Sequence, residues 1–221
     1  MYSNKSILHV ILCSALCAFG GNSAYAEYEP NDNYSTLVLS YQSSTFVKPV
    51  CIGNDCHEGL SGPAAVFARQ LIPNFALGLA GSYLQSSGSS STINSTNGAV
   101  FAEAIAGLGS SADVGLYVAM LGTTMQKCQL NPNSCTSTSD SGNDLGVFGK
   151  VFLNDMRSLS VGLSYDVISY KNSPNQSVVV LSLVTILARH HRLALSLDRV
   201  RDSDGNPLSG GYGLAYSYLV F

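Results

Sequence analysis

From residue 34 to the C-terminus, large apolar side chains alternate with small or polar ones in segments of near-equal length. The alternation is cleanest where Leu159, Val161, Leu163, Tyr165 and Val167 interleave with Ser158, Ser160, Gly162, Ser164 and Asp166. Val114, Leu116, Val118 and Met120 oppose Gly115, Tyr117 and Ala119 in the same way, and Leu193, Leu195 and Leu197 oppose Ala194, Ser196 and Asp198. A two-residue period places one set on each face of a strand. Read on this basis, the chain predicts ten strands, at 34–46, 60–71, 75–86, 98–108, 114–125, 144–153, 158–170, 177–188, 191–200 and 209–221. The segment at 177–188 is apolar on both faces, and its β-branched content argues for a strand over a buried helix.

The connections sort by length. Those at 47–59, 87–97, 126–143, 171–176 and 201–208 are longer and polar, whereas 72–74, 109–113, 154–157 and the Arg189-His190 region are short turns. Strict alternation of long and short connections between amphipathic strands is the plan of an outer-membrane barrel, with short periplasmic turns and longer extracellular loops. A soluble sandwich has no reason to sort its loops so.

The final strand carries Tyr212, Leu214, Tyr216, Tyr218 and Val220 on one parity and Gly211, Gly213, Ala215 and Ser217 on the other. A strand of about 9–11 residues crosses a bilayer when tilted. Its terminal Phe221, with Gly213, Tyr216 and Tyr218 before it, resembles the C-terminal assembly signal of bacterial outer-membrane β-barrels. The resemblance covers nearly all of the chain after the first residues, and in plan it is similar to the OmpA and OmpX-like proteins. It implies an all-β, antiparallel, up-and-down transmembrane barrel, with ten strands preferred and eight as the alternative. It also implies location in the cell outer membrane of a Gram-negative bacterium and engagement of the barrel-assembly machinery through the last strand. Phe221 falls on the small-residue parity, which departs from the lipid-facing terminal aromatic usual in that family.

Composition agrees with a chain that meets lipid. Charged residues make up only 11%, against about 25% in soluble domains, too few to coat a wholly aqueous surface. Lys5, the apolar run 7–19 and Ala24-Tyr25-Ala26 have the order of a secretory signal peptide. Residues 1–26 are therefore expected to be removed, leaving 27–221 as one barrel domain with Glu27 first. Loss of Lys5 takes the formal charge from −3 to −4, and no basic cluster interleaved with aromatics points to nucleic acid. With no tryptophan, an interfacial girdle falls to aromatics near strand ends such as Phe75, Tyr83, Tyr165, Tyr170 and Tyr212.

Four cysteines follow the signal segment as two close pairs, Cys51 with Cys56 and Cys128 with Cys135. In an exported chain they predict local disulfides closing polar outer loops. Zinc would need more soft ligands at tight spacing than His57 beside them supplies, and no cofactor is implied. His190 and His191 are assigned to a periplasmic turn with Arg189 and Arg192, and His57 has no nucleophile near it in sequence. Asp202-Ser203-Asp204-Gly205-Asn206 opens like a calcium loop but lacks the closing glutamate, so a hairpin turn is favoured.

Strand parity puts Glu103, Lys150, Asp166 and Asp198 on inward faces. The expectation is that Lys150 bridges to Glu103, to Asp198 or to both, with Asp166 nearer the outer mouth. A non-enzymatic surface or envelope protein follows, whose disulfide-braced loops contact an unspecified outside ligand or cap a filled barrel, with membrane lipid around it. A narrow diffusion channel is the alternative. A lipid-modifying enzyme is less favoured for want of a rim triad.

Overall fold

A computed structural model describes residues 35–72, 74–108, 111–130, 133–154, 158–188 and 191–220. Ten strands run in chain order: β1 Ser35–Ile52, β2 Asp55–Ile72, β3 Phe75–Ser87, β4 Ser91–Leu108, β5 Ala112–Leu130, β6 Asn133–Phe152, β7 Leu159–Tyr170, β8 Gln176–Ala188, β9 His191–Asp202 and β10 Pro207–Val220. Each pairs antiparallel with its sequence neighbours, and β10 pairs with β1 to close the barrel. The ten-strand plan is thus the observed one. The signal segment, Glu27, His190 and Phe221 lie outside the described residues.

Alternation sets what each side of the wall meets. Outward positions carry Leu37, Leu39, Leu79, Leu116, Val118, Met120, Leu145, Leu163, Leu181, Leu195 and Leu214, all well exposed. A continuous belt of this kind would be destabilising in water and is what a lipid-facing wall requires. The inward set is buried, including both polar and apolar side chains. β8 follows the rule: Val179, Leu181 and Leu183 point out, Val178, Val180 and Val184 point in, and both faces are apolar because the interior there is packed as well.

The strands are tilted. Following cross-strand partners from Leu37 near the base of β1 through Phe67, Leu79, Val100 and Met120 leads to Asn143, above the apolar belt of β6. A row of paired residues therefore climbs around the wall, as closure with a stagger demands.

Three of the expected long loops are instead mostly strand. β1 and β2 continue to a turn at Gly53-Asn54, where Gly53 takes φ 59°, a conformation costly for other residues. β3 and β4 meet at 88–90, and β5 and β6 extend to Leu130 and Asn133. The serines, threonines and asparagines of these stretches lack apolar alternation, yet they pair across tight hairpins. Since β7 and β8 stop near Tyr170 and Gln176, the outer rim is high at the β5–β6 hairpin and low beside it.

Candidate functional site

The outer mouth is the best-defined feature and is built in two layers. The lower layer is apolar: Phe46, Val50, Leu60, Leu84, Ile93 and Met125, from five successive strands, form one buried cluster. Leu84 and Ile93 have no exposed surface at all. The cluster packs inside the β1–β5 side of the wall, where a water-filled pore would have exposed, polar lining.

Above it, Asp55 at the start of β2 gathers the tip of the β3–β4 hairpin. Its carboxylate accepts from Ser89 Oγ at 2.8 Å, from the Ser90 amide at 2.6 Å, and from Ser90 Oγ and Ser91 Oγ at 3.0 Å each. These donors, the Ser90 amide foremost, hold the Asp55 carboxyl well below the usual carboxylate range. Gly88 is small because a side chain there would run into the same carboxylate.

Buried beneath this turn is His57, with Nδ1 2.9 Å from Ser86 Oγ and Nε2 2.9 Å from Ser91 Oγ. Ser91 gives its single hydroxyl proton to Asp55, so it accepts from His57 Nε2–H, while Nδ1 and the Ser86 hydroxyl share the second hydrogen bond. The order of the chain is Ser86, His57, Ser91, Asp55. Ser86 and Ser91 are 29 and 34 residues from His57, so neither stands near it in sequence. Here the carboxylate reaches the imidazole only through Ser91 and is occupied by three serines, an arrangement that fastens one hairpin to its neighbour.

Two other outer connections are also held by an aspartate. Asp140 accepts from Ser173 Oγ at 2.8 Å and from Asn172, tying the β7–β8 loop to β6. Asp202 accepts from the amides of Asp204 and Asn206 and from the Asn206 side chain, which with the Asn206 contact foremost lowers its carboxyl from the ordinary value. Gly205 in that turn takes φ 82°, so Asp202 to Asn206 is a hairpin turn.

The cysteine pairs are disulfides across strands: Cys51 faces Cys56 with Cα atoms 4.0 Å apart, and Cys128 faces Cys135 at 4.1 Å. Both sit at outer hairpin tips, so they staple ribbons rather than close floppy loops.

Inside the barrel, Glu103, Lys150 and Asp166 are buried and inward, and Asp198 is inward and half-buried over Gly211. Register puts Asp113 directly opposite Lys150, whereas Glu103 faces Ala76 and Tyr117, and Asp198 faces Val180 and Gly211. Asp113, assigned from sequence to a turn, is the second residue of β5 and is buried. Its parity matches the inward Tyr117 and Ala119, the signal that places it. Asp144 and Arg192 are further buried lumen charges, and the Asp144 carboxylate accepts from Tyr117 Oη at 3.4 Å. Among the described residues, no group of three metal-ligating side chains forms.

At the opposite end, Tyr216 and Tyr218 face outward and Gly213 inward. His191 is not in a turn. It opens β9 on the outer face, hydrogen-bonded through Nδ1 to the Tyr216 hydroxyl and edge-on to Tyr218, with ring centroids 5.3 Å apart. Tyr83, Tyr165 and Tyr212 are exposed outward as a girdle needs, but Tyr170 is buried inside.

No family model and no curated protein matches the chain. Among solved structures it is similar to the translocator domain of the autotransporter NalP from Neisseria meningitidis, at 12% identity and TM-score 0.52 over 86% of this chain and 90% of that one. It is also similar to an outer membrane channel from Pseudomonas putida F1, at 11% identity and TM-score 0.50 over 89% and 99%. The attachment invasion locus protein Ail of Yersinia pestis aligns more loosely, at 8% identity and TM-score 0.44 over 85% and 98%. At such identities what is shared is the fold.

Proposed function

We propose that this small outer-membrane β-barrel is a non-enzymatic surface protein, a sealed cylinder that holds stiffened hairpins outside the membrane. The observation that carries the reading is the buried apolar cluster of Phe46, Leu60, Leu84, Ile93 and Met125 inside the β1–β5 side of the outer mouth. A channel for solutes needs a continuous polar path, and a buried apolar layer raises a steep barrier to ions and water. The two disulfides and the three aspartate-centred turns add support, because each removes freedom from an outer hairpin, and a preordered surface loses less entropy when it binds.

Purified protein in planar bilayers tests this reading. The expected result is no current above the lipid leak at either polarity. Stepwise single-channel currents would replace it with the diffusion-channel reading, in which the apolar layer moves aside.

A further inference from the structure

Asp144 and Asp166 both point into the barrel, with 2% and 0% of their surface exposed. Gly146 brings them together. It follows Asp144 by one inward position on β6 and is the direct cross-strand partner of Asp166 on β7. A Cβ there would collide with Asp166 Oδ1 and with the Tyr117 ring, so both rest on the bare backbone of this glycine. We infer that the two carboxylates, with the hydroxyl oxygens of Tyr117 and Ser164, form a buried site for one calcium ion.

Charge is the first reason. The two carboxylates are near enough to repel each other, and buried charges are screened little. Among the described lumen residues, Lys150 and Arg192 are the only buried lysine and arginine, and both sit toward the periplasm. Lys150 lies about 20 Å beyond Asp144 along β6 and faces Asp113. Arg192 is near the start of β9, whereas the row of Asp166 runs through Val178 to Val200 at the other end of that strand. A double negative charge therefore stands in the upper lumen away from both cations, and a divalent ion neutralises it.

The donor set is the second. Tyr117 Oη donates to Asp144 Oδ2 and Ser164 Oγ to Asp166 Oδ2, each at 3.4 Å, the long end of the hydrogen-bond range. Asp144 Oδ1 is buried with no hydrogen-bond partner. An oxygen in that state is costly, and its lone pairs suit a hard cation. Two carboxylates and two hydroxyls match the all-oxygen, roughly six- to eight-fold preference of calcium. Magnesium demands a tighter octahedron and keeps its waters, and zinc favours imidazole and thiolate, absent from this set. Only two of the donors are acidic, which is why no trio of acidic, histidine or cysteine ligands marks the place.

Tyr117, Asp144 and the Asp166–Ser164 pair come from β5, β6 and β7. The ion would join these three strands just below the point where the outer rim drops. The site goes beyond the surface-protein reading and does not depend on it, since a conducting barrel could hold the same ion.

The test uses the full barrel refolded from urea into detergent micelles, stripped with chelator and titrated with calcium chloride. The expected result is a single bound calcium and a melting temperature raised by about 5 °C at saturation, with a smaller shift from magnesium chloride. Asp144→Asn removes the repulsion and half of the charge, so it should melt at least as high as the parent in chelator and gain nothing from calcium. A second readout stands even where that variant folds poorly. The chain has no tryptophan, so terbium bound in place of calcium draws its excitation from tyrosine, and calcium should displace it from a single site. Tyr117→Phe should lose most of that emission. No calcium shift and no stoichiometric terbium binding in the parent overturn the inference. An equal shift in Asp144→Asn also overturns it, by placing the ion at the rim aspartates. So does a parent that ignores calcium but melts higher in acid, the two carboxylates then sharing a proton.

Discussion

Lys150 of β6 and Asp113 of β5 are direct cross-strand neighbours inside the barrel, both almost wholly buried. Lys150 Nζ also lies 5.6 Å from the centre of the Phe152 ring. A buried cation whose partner carboxylate is left behind costs about 3–5 kcal/mol to remove. Lys150→Met should lower stability in detergent by that order. Adding Asp113→Asn should restore much of it if the register partner dominates, whereas recovery with Glu103→Gln or Asp198→Asn would assign the bridge to those carboxylates. Urea unfolding of these four variants and the parent compares them, and an unchanged midpoint in Lys150→Met would sink every version of the network.

Two glycine substitutions should behave oppositely. A side chain at Gly146 would overlap the Asp166 carboxylate and the Tyr117 ring, while at Gly122 it would meet nothing within 4 Å. Overpacking of this kind costs about 1–3 kcal/mol. Gly146→Ala should therefore unfold earlier, and Gly122→Ala should match the parent in thermal melts.

The apolar layer at the mouth should behave as a core. Ile93→Ala removes a side chain with no exposed surface, and such truncations cost about 2–5 kcal/mol. A melting temperature within a degree of the parent would mean that the layer is loosely packed.

Acid should release the β3–β4 tip before it opens the barrel. Asp55 has a folded pKa held below its unfolded value, with the Ser90 amide the largest cause. Its contribution is then fully present above about pH 4, the unfolded range, and is lost as pH falls through the depressed folded value. Hydrogen exchange at Ser89–Ser91 should be flat from pH 8 to 5 after correction for intrinsic rates, then lose protection further into acid. Asp55→Ala should show that loss at neutral pH already.

Reduction should loosen hairpin tips and leave the cylinder intact. The bridges span 5 and 7 residues, so each constrains the unfolded chain by about 2–3 kcal/mol at most. Heat-modifiable migration on gels should persist under reductant, and peptide mapping should find Cys51 with Cys56 and Cys128 with Cys135. A cross-pair such as Cys51 with Cys128 would contradict the register.

The transmembrane strands were legible because lipid on one side and a packed interior on the other impose a strict two-residue period, as at Leu163, Ser164 and Tyr165. The outer halves of β5 and β6 were not, because Ser137, Thr138 and Ser139 meet water on both faces and no period is needed. The cysteine spacing disclosed the bridges but not that Cys128 and Cys135 are facing strand partners. The fastener at His57 is hidden for a different reason: its serines come from the next hairpin, and only the pairing of β2 with β3 and of β3 with β4 brings them together. Asp113 belongs to β5 because the strand begins at Ala112, two residues before the apolar alternation starts at Val114.

Closure through β1 and β10 has a consequence for how the chain assembles. Every other ladder joins consecutive strands and closes a short loop, while the seam from Ser35 with Val220 to Phe46 with Ser209 joins the two ends of the barrel. Loop-closure entropy makes such a long-range contact the slowest to nucleate. The hairpins should therefore accumulate as a curling, unsealed sheet, and zipping of β1 onto β10 should be the committing step of insertion. Substitutions at the seam, such as Ala215→Val on the inner face, should slow folding more than equally destabilising changes within any one hairpin.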